Sequence, residues 1–179
     1  QKQEPNASDK KLLDDAHGKL EAFLKRTGEG TAPLDDPGKQ QNRQNARALS
    51  VFYLGRIAEA RGDLKKVLEI FQGFAETNKA QKQLVSDVLF IELRTLDALK
   101  MVEEAPGKLA ELEAFHPTYG FLGAAKQLVG KLFDAEAEKL TTAGKLEEAA
   151  GYSRRAADLL ATWLRGDAKD GRVADNLSS

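Results

Sequence analysis

Few residues in this chain are suited to acid–base or metal chemistry. Histidine occurs twice, at His17 and His116, and neither has a second histidine at the i,i+4 spacing of a helical metal site. Glu21 follows His17 by one helical turn, which predicts a surface contact. His116, just before Pro117, reads as a helix-terminus residue that complements the dipole. Carboxylates stand side by side at Asp14-Asp15, Asp35-Asp36, Glu103-Glu104 and Glu147-Glu148. Neighbours along a helix point in different directions, so such a doublet makes no acid–base pair. Three of the doublets lie near helix starts, where negative charge is stabilised. Cysteine is absent, which excludes disulfides, thiolate nucleophiles and Cys-ligated zinc. No G-x-S-x-G, P-loop or G-x-G-x-x-G occurs. These residues predict no enzyme, no metal and no cofactor.

The elements that carry them read as helices throughout. Of 179 residues, 41% are apolar and only 7% aromatic; leucine and alanine dominate, a mix that favours packed helices over sheets. Alternation never persists long enough for a strand. With 27 basic against 28 acidic residues, nothing attracts a polyanion, so no nucleic-acid partner is expected. The longest apolar run, Val88 to Leu93, already contains Glu92, so no membrane insertion is expected. The chain starts at Gln1 in a polar lead. That favours a mature terminus after signal cleavage, and hence an exported or periplasmic protein, over the cytosol.

Seven helices are expected, in antiparallel hairpins. Residues 1–8 read as a disordered lead. Ser8 or Asp9 caps the first helix, whose stripe is Leu12, Leu13, Ala16, Leu20, Phe23 and Leu24. Prolines and glycines make 27–39 mostly loop, closed by Asp36 as cap and Pro37 in the first turn of the second helix. That helix turns apolar at Ala46 and continues through Leu49, Phe52, Tyr53, Ile57 and Ala60. Gly62-Asp63 stops it. Leu64, Val67, Leu68, Phe71, Phe74 and Ala75 form the third stripe, ended by Asn78. The fourth carries Leu84, Val88, Ile91, Leu93, Leu96 and Leu99. Pro106 opens the fifth, with Leu109, Leu112 and Phe115 buried, and His116-Pro117 closes it. A sixth runs from Tyr119 to Thr142 and breaks at Gly144. The seventh spans Leu146 to Leu164, with Trp163 at its end covering the core edge. Residues 166–179 read as a polar tail or a truncated next unit, because a polar capping helix is missing.

One segment, Val51 to Asn78, resembles a tetratricopeptide repeat, a helical hairpin of about 34 residues. Val51, Leu54-Gly55, Gly62-Asp63, Leu64, Val67, Phe71 and Phe74 stand on that family's anchors. A mid-helix glycine costs about 1 kcal/mol against alanine, so Gly55 predicts the close approach of a neighbouring helix. The frame recurs at Leu89, Leu93, Leu96, Ala105, Leu109, Leu112 and Pro117. It recurs again at Phe133, Ala137, Leu140, Gly144, Leu146, Ala149, Ala156 and Ala161. The second copy lacks the Leu-Gly pair and the turn glycine. The resemblance implies an all-α fold of hairpins stacked as a short right-handed α-solenoid. It would form a single domain over residues 9–165, with units near 9–50 (degenerate), 48–81, 86–119 and 130–163.

Hairpins that cannot bury their own stripes stack and leave a concave face lined by the first helix of each. The resemblance therefore implies a non-enzymatic scaffold that binds a peptide or protein segment in that groove. Its groove positions would be Leu49, Phe52, Tyr53, Arg56 and Glu59, then Asp87, Phe90, Ile91, Arg94 and Asp97. Lys131, Asp134, Ala135, Glu138 and Thr141 complete them. Phe52 with Arg56 and Phe90 with Arg94 repeat one i,i+4 pair on successive hairpins, able to stack a ring and offer planar donors to a carboxylate. In the other reading the rings pack between hairpins and the arginines are solvated. The alternative functions are an assembly subunit that self-associates as a homo-oligomer, or an accessory domain of a larger enzyme or envelope complex.

Overall fold

In a computed structural model, which describes residues 7–28, 31–32 and 34–170, the chain is all-helical, with no strand among those residues. Helices α1 (Ala7–Arg26), α2 (Pro37–Arg61), α3 (Leu64–Phe71) and a single turn, α4 (Phe74–Thr77), belong to one compact unit, Gln1–Ala80. Helices α5 (Lys82–Leu99), α6 (Ala105–Phe115), α7 (Leu122–Thr142) and α8 (Leu146–Asp170) belong to a second, Gln81–Ser179.

Local signals place most of these boundaries. The Asp36 carboxylate accepts from the amides of Gly38 and Lys39 at 2.7 and 3.1 Å, with Pro37 in the first turn of α2; these are orphan donors that the helix itself cannot satisfy. Gly62 ends α2 in the left-handed region at φ 76°, and the Asp63 amide reaches back to the Ala58 carbonyl at 3.0 Å. Asp63 then caps α3 through the amide of Lys66. Two further hairpin turns use the same backbone device. Gly144 has φ 76°, and the Lys145 amide donates to the Leu140 carbonyl at 2.9 Å. Lys100 has φ 57°, and Met101 donates to Leu96 at 2.9 Å. The second hairpin thus keeps the turn without the glycine.

The first unit packs α2 against both α1 and α3. Gly55 is needed for the second contact: a Cβ there would overlap the Phe71 ring, which is 1% exposed. With Gly62 aligned on Lys100, the anchors Val67, Phe71 and Phe74 correspond to Ala105, Leu109 and Leu112, and all are buried. The same alignment sets Gly55 opposite Leu93. Where the first hairpin sets a glycine against a phenylalanine, the second has buried leucines at the two matching places.

In the second unit, α5 pairs with α6 and α7 with α8, and α7 also lies against both α5 and α6. Surrounded in this way, it buries Ala125, Val129, Gly130, Leu132, Phe133, Ala137 and Leu140. Lys108 on α6 bridges the buried Glu92 of α5 at 3.2 Å and Glu111 at 2.8 Å. Burial works against its charge, but those two carboxylates outweigh it and hold the lysine above its ordinary pKa.

Several expectations need correction. Ala7 and Ser8, assigned to a disordered lead, lie in α1; residues 1–6 fall outside the described residues. The third helix is interrupted at Gly73, whose φ of 71° separates α3 from α4. Tyr119 precedes α7 and sits buried in its approach. Ala60 and Leu146, read into apolar stripes, are exposed; so are Leu49 and Tyr53, which also stood on the expected groove face. On α2 the buried residues are Ala48, Ser50, Leu54, Gly55, Ile57 and Ala58, and Gly55 is where the Phe71 ring of α3 lands. Trp163 does not end the last helix, since α8 continues to Asp170; its indole lies against Gly123 of α7, and a Cβ on that glycine would approach the indole nitrogen to 3.2 Å. Residues 171–179 fall outside the described residues.

Candidate functional site

Helices α5 and α7 diverge enough to leave a cleft of about 330 Å³ between them. Its α5 wall is Phe90, Arg94 and Asp97, and Lys131 stands on the α7 wall with Ala124, Gln127 and Leu128. Phe90, Arg94 and Asp97 follow at steps of four and three, so they share one face of α5. Four of the residues singled out from sequence therefore meet across one cleft.

An aromatic shelf lies beside this cleft. Phe90 stacks on Phe121 with ring centroids 5.6 Å apart and planes 14° from parallel, and Tyr119 meets both rings edge-on. Such pairs contribute about 0.5–1.5 kcal/mol beyond the area they bury. Phe121 is nonetheless 57% exposed.

The segment carrying that ring is tied down by two neighbouring residues of α5. Ser86, fully buried, bonds His116 Nδ1 at 2.9 Å and the Lys82 carbonyl at 2.8 Å. A hydroxyl has one proton. If it goes to the carbonyl, as i−4 geometry favours, then His116 donates from Nδ1. Next to it, Asp87 accepts from the Tyr119 hydroxyl at 2.7 Å and from Gln83 at 3.0 Å. Burial first, and then this carboxylate, push the Tyr119 phenol well above its ordinary pKa. His116 also caps α6 by donating its amide to Leu112. The connection from α6 to α7 is therefore held at both ends, and Phe121 with it.

The other singled-out residues lie elsewhere. Asp134, Ala135, Glu138 and Thr141 are exposed along α7, while Ile91, expected in a groove, is a core residue at 3% exposure. Asp97 pairs with Lys100 at 3.2 Å. In the first unit Phe52 packs edge-on against Tyr53, and Arg56 pairs with Glu59 at 3.2 Å. Tyr53 and Arg56 line a different cleft, of about 490 Å³, with α1 as its other wall. A third cleft, of about 500 Å³, lies among α6, α7 and α8. Ion pairs cross its rim, Lys126 with Glu113 at 2.7 Å and Arg155 with Glu103 at 3.7 Å. Arg155 also lies over the Tyr152 ring at 5.1 Å.

Sequence reading missed Tyr119 and Phe121. Two aromatic residues within a Pro-Thr-Tyr-Gly-Phe stretch between helices were the available signal. His17 and Glu21 make the expected surface contact at 3.4 Å. No group of three or more His, Asp or Glu among the described residues could hold a metal ion, and no helix is long and apolar enough to cross a membrane. Compared with known proteins, the chain matches no family model, no curated protein and no solved structure.

Proposed function

We propose that this chain is a non-enzymatic scaffold of tetratricopeptide-like hairpins that binds a peptide or protein segment. In this reading the α5–α7 cleft is the binding groove. The observation that carries it is the meeting of Phe90, Arg94, Asp97 and Lys131 across that cleft, beside an exposed aromatic ring whose backbone is held in place. A positioned ring lowers the cost of ordering a ligand, and rigid aromatic residues with arginine dominate binding energies at interfaces.

Two features support the family likeness. Three hairpin turns share one backbone geometry at Gly62, Lys100 and Gly144. Within the second unit, α7 packs against both helices of the preceding hairpin, as stacked repeats require.

A peptide array probed with the whole chain tests the function. Phe90→Ala with Arg94→Ala should abolish the peptide signal while helical circular dichroism is retained and the melting temperature falls only by what the ring contacts with Phe121 and Tyr119 contribute. Unchanged peptide binding by a folded double variant removes the groove assignment.

A further inference from the structure

The first unit carries a surface that this groove does not use. Helix α1 has a full apolar stripe, Leu12, Leu13, Ala16, Leu20, Phe23 and Leu24, and none of it is buried. Leu12 is 66% exposed, and on the facing helix Tyr53 is 53% exposed. An amphipathic helix usually buries such a stripe more fully; here Leu12 is exposed and the other five are half-buried. Between α1 and α2 runs the cleft of about 490 Å³. Leu13, Ala16, Leu20, Tyr53 and Ile57 line it, and its only charged lining residues are Lys19 and Arg56.

Both cations are paired within their own helix. Lys19 meets Asp15 at 2.6 Å with both side chains exposed, and such a pair is worth about 0.3–0.5 kcal/mol, so Lys19 exchanges its partner at little cost. Arg56 holds the largely shielded Glu59 through Nε at 3.2 Å while its own side chain stays 49% exposed, so its terminal guanidinium donors are the ones offered to an incoming carboxylate. A bidentate contact to Arg56, partly shielded from water, would be stronger.

We propose that the α1–α2 face docks an acidic amphipathic helix of a partner protein. Its apolar anchors at i, i+3, i+4 and i+7 fill the cleft, and its flanking carboxylates meet Lys19 and Arg56. This surface is separate from the α5–α7 groove and does not depend on it.

The probe is a labelled synthetic helix with leucines at those four positions and glutamates on its flanks, compared by fluorescence anisotropy with a twin carrying lysines. The full chain should bind the glutamate helix at least about tenfold tighter. Lys19→Glu with Arg56→Glu should reverse that preference without loss of helical circular dichroism, since both side chains lie at the surface. Phe90→Ala with Arg94→Ala should leave it unchanged, so failure here is distinguishable from failure of the groove. Equal binding of the twins, no binding, or a charge-reversed variant that still prefers glutamate overturns the proposal. So does a concentration-dependent dimer of the chain alone that Tyr53→Ala dissolves, which would give the face to a second copy.

Discussion

The hairpins α2–α3 and α5–α6 reach one backbone design through different side chains. Both end their first helix in the left-handed region and close it with a hydrogen bond from the next residue to the same place on the helix, at Gly62 in one and Lys100 in the other. Inside, Gly55 admits the Phe71 ring in the first, while Leu93 and Leu109 occupy the matching places in the second. The first has Gly55 and Gly62 where the second has Leu93 and Lys100. What recurs is a volume and a turn, and glycine is one way to meet each.

The largest effect should come from Gly55→Ala. Alanine is the better helix former by about 1 kcal/mol, yet its methyl group must displace a fully enclosed ring. Overpacking of this kind costs about 1–3 kcal/mol. The net loss in urea unfolding should therefore reach up to about 2 kcal/mol once the propensity gain is offset. Phe71→Leu in the same chain copies the second hairpin's smaller anchor and should recover part of the loss, a positive coupling in a double-mutant cycle. Additive losses would mean that the two positions do not share one volume.

This comparison also marks what the sequence made legible. Caps and stops are local chemistry, so Asp36-Pro37, Gly62-Asp63, Pro106, His116-Pro117 and Gly144 could be placed from a few residues each. Which face of a helix is buried depends on where its neighbours land, and α2 shows the limit. Leu49 and Tyr53 are more apolar than Ser50 and Gly55, yet the latter pair is buried, Gly55 against the Phe71 ring of α3. The candidate site divides in the same way. Placing Phe90, Arg94 and Asp97 on one face of α5 needs only helical period, whereas Lys131 and Phe121 join them through packing of α7. Lys100 was invisible as a turn residue because a lysine gives no local signal for positive φ.

A smaller effect should separate the hairpins by pH. Only the second is tied to the following connection through Tyr119 and Asp87. Tyr119→Phe removes that hydrogen bond and should cost about 1 kcal/mol near neutral pH. The phenol's folded pKa lies above its unfolded value. Above roughly pH 10 the unfolded chain therefore releases a proton that the folded chain keeps, and stability falls as pH rises. The contribution is fully present below the unfolded pKa. Urea midpoints measured from neutral to alkaline pH should fall more steeply in wild type than in Tyr119→Phe. Spectrophotometric titration should show one of the three tyrosines ionising last; parallel pH profiles would contradict the assignment.

The smallest effect has the opposite sign. Lys100 holds φ 57° with a side chain that glycine would not need to accommodate. The left-handed region costs an ordinary residue on the order of 1 kcal/mol, and Lys100 recovers only a surface pair with Asp97 at 3.2 Å. Lys100→Gly should therefore stabilise the chain by about 0.5 kcal/mol, because relief of backbone strain exceeds the extra entropy that glycine gives the unfolded chain. Gly62→Lys, the reverse exchange in the first hairpin, should destabilise by a similar amount. If the two urea midpoints move in opposite directions by similar amounts, the turns are equivalent in energy as well as in shape. If Lys100→Gly lowers the midpoint, the lysine side chain contributes more to the second hairpin than its exposed pair with Asp97 accounts for.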